Sequence, residues 1–361
     1  MTKPISPSSH DHASGNQPRL RMYAGGTTGE MAKRFAEIER NVEEAEAKRA
    51  QRRKELHEKN IAADVRVVAW IDILGFSNQL QHARTEPEYR AVYHRMLRVQ
   101  DAFDVPSASD EPDKREDINA AYGRTVLALS DGLVVAASPK AKMRESMTPY
   151  DLLMSLVGQI VMAQAHCAMR GIFLRGGISI GPFYYENNIL LSPALIRAYK
   201  LETERAGYPV IIVTQEDIAT LRALPGIECY AKGSEPSLGY FLPFKAPGQK
   251  KGERFFHLDY LNFLANPNNY FFYCEKDRKD SSNRKKSPAE RQRIFDMSHD
   301  KSAARAMWWH KHELLKAYRA AKSERAKAKY RWLMAYQNRA LRGLPTVYNK
   351  ARISLKEMGK A

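Results

Sequence analysis

The 361 residues carry 58 Lys and Arg against 41 Asp and Glu, a formal charge of +17, and 43% of them are hydrophobic. That length and apolar content exclude a staple-dependent miniprotein and suit one large domain, or a medium domain with extensions. The three cysteines, Cys167, Cys229 and Cys274, are too widely spaced for a disulfide framework or a structural zinc knuckle, which points to a reducing interior.

No uninterrupted apolar run reaches the roughly 20 residues needed to cross a bilayer. Residues 1–21 are polar rather than a basic end followed by an apolar stretch. The expectation is a soluble, cytoplasmic protein. Residues 275–361 hold 24 Lys and Arg against 9 Asp and Glu, so +15 of the charge sits there and the rest of the chain is nearly neutral. Basicity therefore belongs to a C-terminal extension and says little about the central chemistry.

Residues 1–26 are rich in Pro, Ser, Gly and Asn and read as a flexible N-terminus. Residues 27–63 form a charged helical extension, with opposite charges at helical spacings over about 30–60 but few apolar anchors, as in an exposed helix. At Asp64 the texture changes to Val65, Val67, Val68, Ala69, Trp70 and Ile71, a buried-strand pattern ending at Asp72. Ser77 and Asn78 are candidate starts for a helix over 86–101, followed by an acidic loop at 106–117. Residues 125–129 and 133–137 are two short strands around the polar turn Ser130, Asp131 and Gly132. Residues 150–170 have the apolar stripe of a packed helix, 171–181 form a glycine-containing strand, and 192–204 a helix with Pro193 in its first turn. Residues 210–213 read as a strand and 215–221 as a short helix. This alternation predicts an α/β sandwich with a mixed sheet over residues 64–265. A basic linker at 277–290 and a largely helical stretch at 292–342 belong to the extension over 266–361. Its aromatics, Trp308, Trp309, Tyr318, Tyr330, Trp332 and Tyr336, point to packing on the core or on a second copy.

Asp72 at a strand end and Asp131 in a hairpin turn are the two carboxylates singled out. Oxygen ligands of this kind converge on magnesium or manganese. The bland alternative is that Asp72 caps a helix and Asp131 only makes the turn. After Asp72 come Ile73, Leu74, Gly75, Phe76 and Ser77, where glycine permits a tight turn and backbone amides can face phosphate. Gly176, Gly177 and Gly181 in the later strand leave room for the close approach of a ring or ligand.

These motifs, at 70–77, 130–132, 175–181 and 192–202, resemble the catalytic domain of class III nucleotide cyclases. Among these they are most like the bacterial pyrimidine cyclases of Pycsar anti-phage defence. The resemblance covers residues 66–264 and implies a ferredoxin-related core with a mixed sheet. It also implies a homodimer with active sites at the interface, and two Mn2+ or Mg2+ ions per site held by Asp72, Asp131 and the Ile73 carbonyl. Phosphate-binding roles fall to Gly75, Phe76 and Ser77. The implied reaction converts UTP or CTP to a 3′,5′-cyclic mononucleotide and pyrophosphate, the product acting on a cyclic-nucleotide-responsive effector.

Where purine cyclases of the family read the base with a lysine and an acidic residue, the motif spacing puts Leu127 and Ile189, with Asn187 or Asn188 as compensating groups. The family's transition-state asparagine and arginine map to Ile196 and Lys200, with Arg197 the nearby alternative to Lys200. Arg175 is either a triphosphate ligand or a structural strand residue. Lys245, Lys250 and Lys251 are each triphosphate candidates or solvated surface. His257, among Phe255, Phe256 and Tyr260, reads first as packing. The alternatives are a purine nucleotide cyclase, and a dimeric nucleic-acid-binding or scaffold protein that works through its basic helices.

Overall fold

The computed structural model describes residues 33, 36–37, 40–48, 51, 63–103, 123–138, 149–223, 240–267 and 286–359. The expected N-terminal segment, the acidic loop at 106–117 and residues 277–285 of the linker lie outside the described residues. The chain divides into two units, Met1–Ile61 and Ala62–Ala361. In the first, residues 40–48 are helical and exposed, as a charged helix with few apolar anchors should be.

The second unit begins with β1 (Asp64–Ile73), whose near-continuous apolar run is covered on both faces. Val67, Ala69, Ile71 and Ile73 enter the main core, while Val68 and Trp70 join a smaller cluster on the opposite face. There follow α1 (Phe76–His82), α2 (Glu86–Phe103), β2 (Arg124–Leu129), β3 (Gly132–Ala137) and α3 (Pro149–Ala168). Next come β4 (Leu174–Glu186), β5 (Ile189–Leu191), α4 (Pro193–Lys200) and a π-helical turn (Leu201–Arg205). The remainder is β6 (Ile211–Thr214), α5 (Gln215–Arg222), β7 (Phe241–Phe244), β8 (Phe255–Leu258), α6 (Tyr260–Ala265), α7 (Pro288–Ala320), α8 (Glu324–Ala340) and a 3-10 turn (Thr346–Ala351).

The sheet runs β2-β3-β1-β4-β6-β8-β7, with β5 paired to β4. Only the β4–β6 pairing among these is parallel, so the expected mixed-sheet α/β core is present. Residues 184–191, between the strand expected at 171–181 and the helix expected at 192–204, form the β4–β5 hairpin. Asn187 and Asn188 make its two-residue tip at φ 51° and 62°, the left-handed pair that such hairpins require and that asparagine tolerates. The C-terminal helix also starts earlier than 292, because Ser287 and Glu290 form a capping box around Pro288.

Helix α4 lies directly on β4. A Cβ at Gly177 would sit 2.2 Å from the Ala198 carbonyl oxygen and 2.7 Å from Leu201 Cβ, so the glycine makes room for a helix rather than for a ring or ligand. Gly177→Ala is expected to lower stability by about 2–3 kcal/mol. A urea midpoint unchanged from the parent would show that α4 can move off the strand freely.

The C-terminal helices share the main core. Ala303, Met307 and Leu314 of α7, and Leu333, Met334 and Tyr336 of α8, are buried with the sheet residues. Gln337 donates from Nε2 to the carbonyls of Met307 (3.0 Å) and Ala351 (2.8 Å), leaving its Oε1 to accept from His310 Nδ1 at 2.6 Å. His310 Nε2 therefore accepts from the Tyr260 hydroxyl at 3.0 Å, and burial pushes its pKa down to about 4, keeping the ring neutral. His257 is a packing residue, in edge contact with Trp332 and Tyr336 and likewise lowered by burial to about 4. Trp308 and Trp309, by contrast, remain 39% and 45% exposed. Among the described residues no helix is long and apolar enough to cross a membrane.

Candidate active site

Pairing of β1 with its neighbours builds the site. Asp72 lies opposite Gly132 on one side and Arg175 on the other. Asp131, one residue before Gly132, is thereby brought beside Asp72 at the tip of the β2–β3 hairpin, where Ser130 takes a left-handed φ of 54°. Gly75, at φ 79°, turns the chain out of β1 and is the N-cap of α1, with no side chain capping the helix. Asp72 is therefore not a helix cap. Phe76 anchors the turn in the core, and the Ser77 hydroxyl donates to Asp131 Oδ2.

A third carboxylate joins them. Arg175 Nε donates to Asp72 Oδ2 at 2.7 Å and lies 2.6 Å from Glu202 Oε1. Its single Nε hydrogen points at Asp72, so the buried Glu202 Oε1 takes no hydrogen bond. Glu202 is 2% exposed and is carried inward by the π turn after α4. Burial, reinforced by the charges of Asp72 and Asp131, pushes its pKa up to about 7. Burial also raises Asp72, against the pull of the Arg175 hydrogen bond, and Asp131 adds to the rise. Glu202 lies inside the helix expected at 192–204 and has no separate expected role; its position two residues after Lys200 is the available signal.

Other expected site residues are not gathered at Asp72 within one chain. Arg197 donates to Ser179 Oγ (2.9 Å) and the Ile180 carbonyl (2.7 Å), about 16 Å along β4 from Arg175. Ser179 and the Ile180 amide also bond Asp217, at 3.2 and 2.9 Å, so Arg197 is held in a structural network. Lys200 is exposed; Ala198 and Leu201 meet the sheet at Gly177, which turns the intervening Lys200 outward. Lys245, Lys250 and Lys251 surround a surface cavity of about 740 Å³ at the β7–β8 hairpin, four strands or about 19 Å from β1. Leu127 is half-buried beside Trp70, whereas Ile189 is 52% exposed at the β4–β5 hairpin. Asn188 Oδ1 accepts from the Tyr185 hydroxyl at 3.4 Å.

Two facing carboxylates suit a hard divalent cation, and Asp131 raising the Asp72 pKa marks a repulsion that such a cation would relieve. Among the described residues no group of three or more His, Cys, Asp or Glu is arranged to hold a metal. Two carboxylates are fewer ligands than an all-protein cage requires.

No family model and no curated protein matches the chain. Solved structures do. The adenylyl cyclase CyaB from P. aeruginosa is 11% identical, the match covering 56% of this chain and 96% of that one at a TM-score of 0.33. Two structures of a bacterial light-regulated adenylyl cyclase are 13% and 15% identical, covering 56% and 55% of this chain and 53% and 92% of theirs, at TM-scores of 0.33 and 0.32.

Proposed function

We propose that this chain is a metal-dependent nucleotide cyclase that converts a nucleoside triphosphate to a cyclic mononucleotide and pyrophosphate. The observation that carries the reading is the convergence of Asp72 and Asp131 beside the Gly75 turn, with Ser77 orienting Asp131. Asp72, Asp131 and the Ile73 carbonyl would hold divalent cations. Such cations, when bound, favour the ribose 3′ alkoxide and neutralise the triphosphate. Arg175 and Ser77 hydrogen-bond the two carboxylates, and the backbone amides from Gly75 to Ser77 would receive the phosphates. The 3′ hydroxyl loses its proton to solvent as its oxygen attacks the α-phosphorus, the bond to the β-phosphate oxygen breaks, and pyrophosphate leaves.

A second copy of the chain belongs to the proposal. Tyr185, Ile189, Leu191, Ile196 and Tyr199 are exposed apolar residues on the β4–β5 hairpin and α4, a surface that a homodimer would cover. In that arrangement Lys200 and Lys245 would act on the partner's triphosphate.

The finer reading is a pyrimidine substrate, UTP or CTP, with a cyclic product that signals to an effector in anti-phage defence. Leu127 and Ile189, neither able to read a purine edge by hydrogen bonding, support it. The second reading is a purine cyclase, the similar structures being adenylyl cyclases. Incubation with ATP, GTP, CTP and UTP separately, with Mn2+ and then Mg2+, and mass spectrometry of the products decides. Cyclic UMP or CMP is expected; cyclic AMP or GMP would move the assignment to the purine class. No cyclic product from any triphosphate would overturn the cyclase reading in favour of a scaffold.

A further inference from the structure

Helix α8 runs past the strand ends that carry Asp72 and Arg175. Tyr330 packs edge-on against Phe173 with centroids 5.6 Å apart. The Phe173 carbonyl in turn accepts from the Leu74 amide at 2.9 Å, two residues beyond Asp72. Trp332 stacks on Tyr208 at 4.8 Å and packs on the cluster containing Leu201, the neighbour of Glu202. Lys329 precedes Trp332 by three residues and so shares its helix face. That face sets the half-buried Lys329 within electrostatic reach of the carboxylates, where its charge is felt by Asp72 and Glu202.

Two other cations, Arg175 and Arg325, act electrostatically on Lys329. Arg325 lies one turn before Lys329 on the same face, and like charges at that spacing disfavour a helix unless an anion lies between them. Arg175 is already committed to Asp72. Burial lowers the Lys329 pKa, Arg175 and Arg325 lower it further, and Asp72 and Glu202 offset part of that. Among the described residues Lys329 makes neither a hydrogen bond nor an ion pair at contact distance, so its three donors remain to be used. A half-buried ammonium repelled by two guanidiniums, beside carboxylates, is favoured by an incoming polyanion.

We propose that Lys329, with Arg325, is an anion-binding pair that the C-terminal hairpin contributes to the Asp72 site, and that it takes the terminal phosphates of a polyphosphate substrate. This rests on the cyclase reading for the identity of the substrate but not for the binding of phosphate. The basic extension thereby acquires a role at the carboxylate centre.

The test is calorimetric titration of the full-length protein with inorganic triphosphate and Mn2+, for the parent chain, Lys329→Gln, Lys329→Arg and Arg325→Gln. Lys329→Gln is expected to weaken binding about tenfold, Lys329→Arg by less than about threefold, and the exposed Arg325→Gln by about threefold. Circular dichroism should show all three folded. In turnover, Lys329→Gln should raise KM for the nucleotide about tenfold with a smaller change in kcat. Triphosphate affinity unchanged in Lys329→Gln, no binding by the parent chain, or a loss confined to a single-stranded oligonucleotide would each overturn the assignment. Lys329-dependent triphosphate binding without cyclic product would remove the cyclase reading and leave this one standing. Cyclic product with an unaltered KM in Lys329→Gln would do the reverse.

Discussion

Replacing Asp72 or Asp131 by asparagine is expected to reduce Mn2+-dependent cyclic nucleotide formation about a thousandfold or more. Losing a charged metal ligand removes several kcal/mol of transition-state stabilisation. Folding should survive, for reasons visible in the site. In Asp72→Asn the Arg175 guanidinium keeps Glu202 as a counter-charge 2.6 Å away, so it is not left as the lone buried ion whose stranding costs about 3–5 kcal/mol. Asp131 is half-exposed at a hairpin tip, and its asparagine replacement retains an oxygen for the Ser77 hydroxyl. Product formation by mass spectrometry, paired with thermal melts, makes the check. Turnover within tenfold of the parent in both variants would remove these carboxylates from the metal-binding role.

Glu202 should imprint itself on the pH dependence of stability. Its folded pKa, about 7, lies above its ordinary value of 4.5, so the folded chain holds the proton more tightly than the unfolded chain. The stabilisation from this group is complete below about 4.5 and declines as pH rises through 7, amounting to as much as about 3 kcal/mol. Glu202→Gln removes that titration. Urea denaturation at pH 5 and pH 8 should therefore show the variant gaining on the parent chain by up to about 3 kcal/mol at the higher pH. Asp72, Asp217 and Asp259 are also raised by burial and contribute their own slopes, so the difference between the two proteins is the readout. An identical pH dependence in both would mean that the carboxyl stays ionised on its Arg175 neighbour throughout.

The long segments were legible because their patterns are local. The run from Val65 to Ile71, the two strands about Asp131 and the stripe of α3 each announce a period and a boundary within their own residues. Asp72, Asp131 and Gly75 could be singled out for the same reason: a carboxylate or glycine at a strand end is visible in the chain itself. The hairpin tip at Asn187 and Asn188 carried a usable local signal too, since two adjacent asparagines between Tyr184-Tyr185-Glu186 and Ile189-Leu190-Leu191 suit a left-handed two-residue turn. Strands β7 and β8, four residues each, are too short to display a period.

What the sequence by itself determined was the alternating α/β order, the paired carboxylates, and the concentration of charge at the C-terminus. Only the tertiary structure decided what those features meet. It put the Ala198 carbonyl against Gly177, tied Arg197 to Ser179, buried Glu202 beside Arg175, and set Lys329 of the last long helix within electrostatic reach of them. Burial and long-range charge are properties of packing between segments distant in the chain, and no local period encodes them.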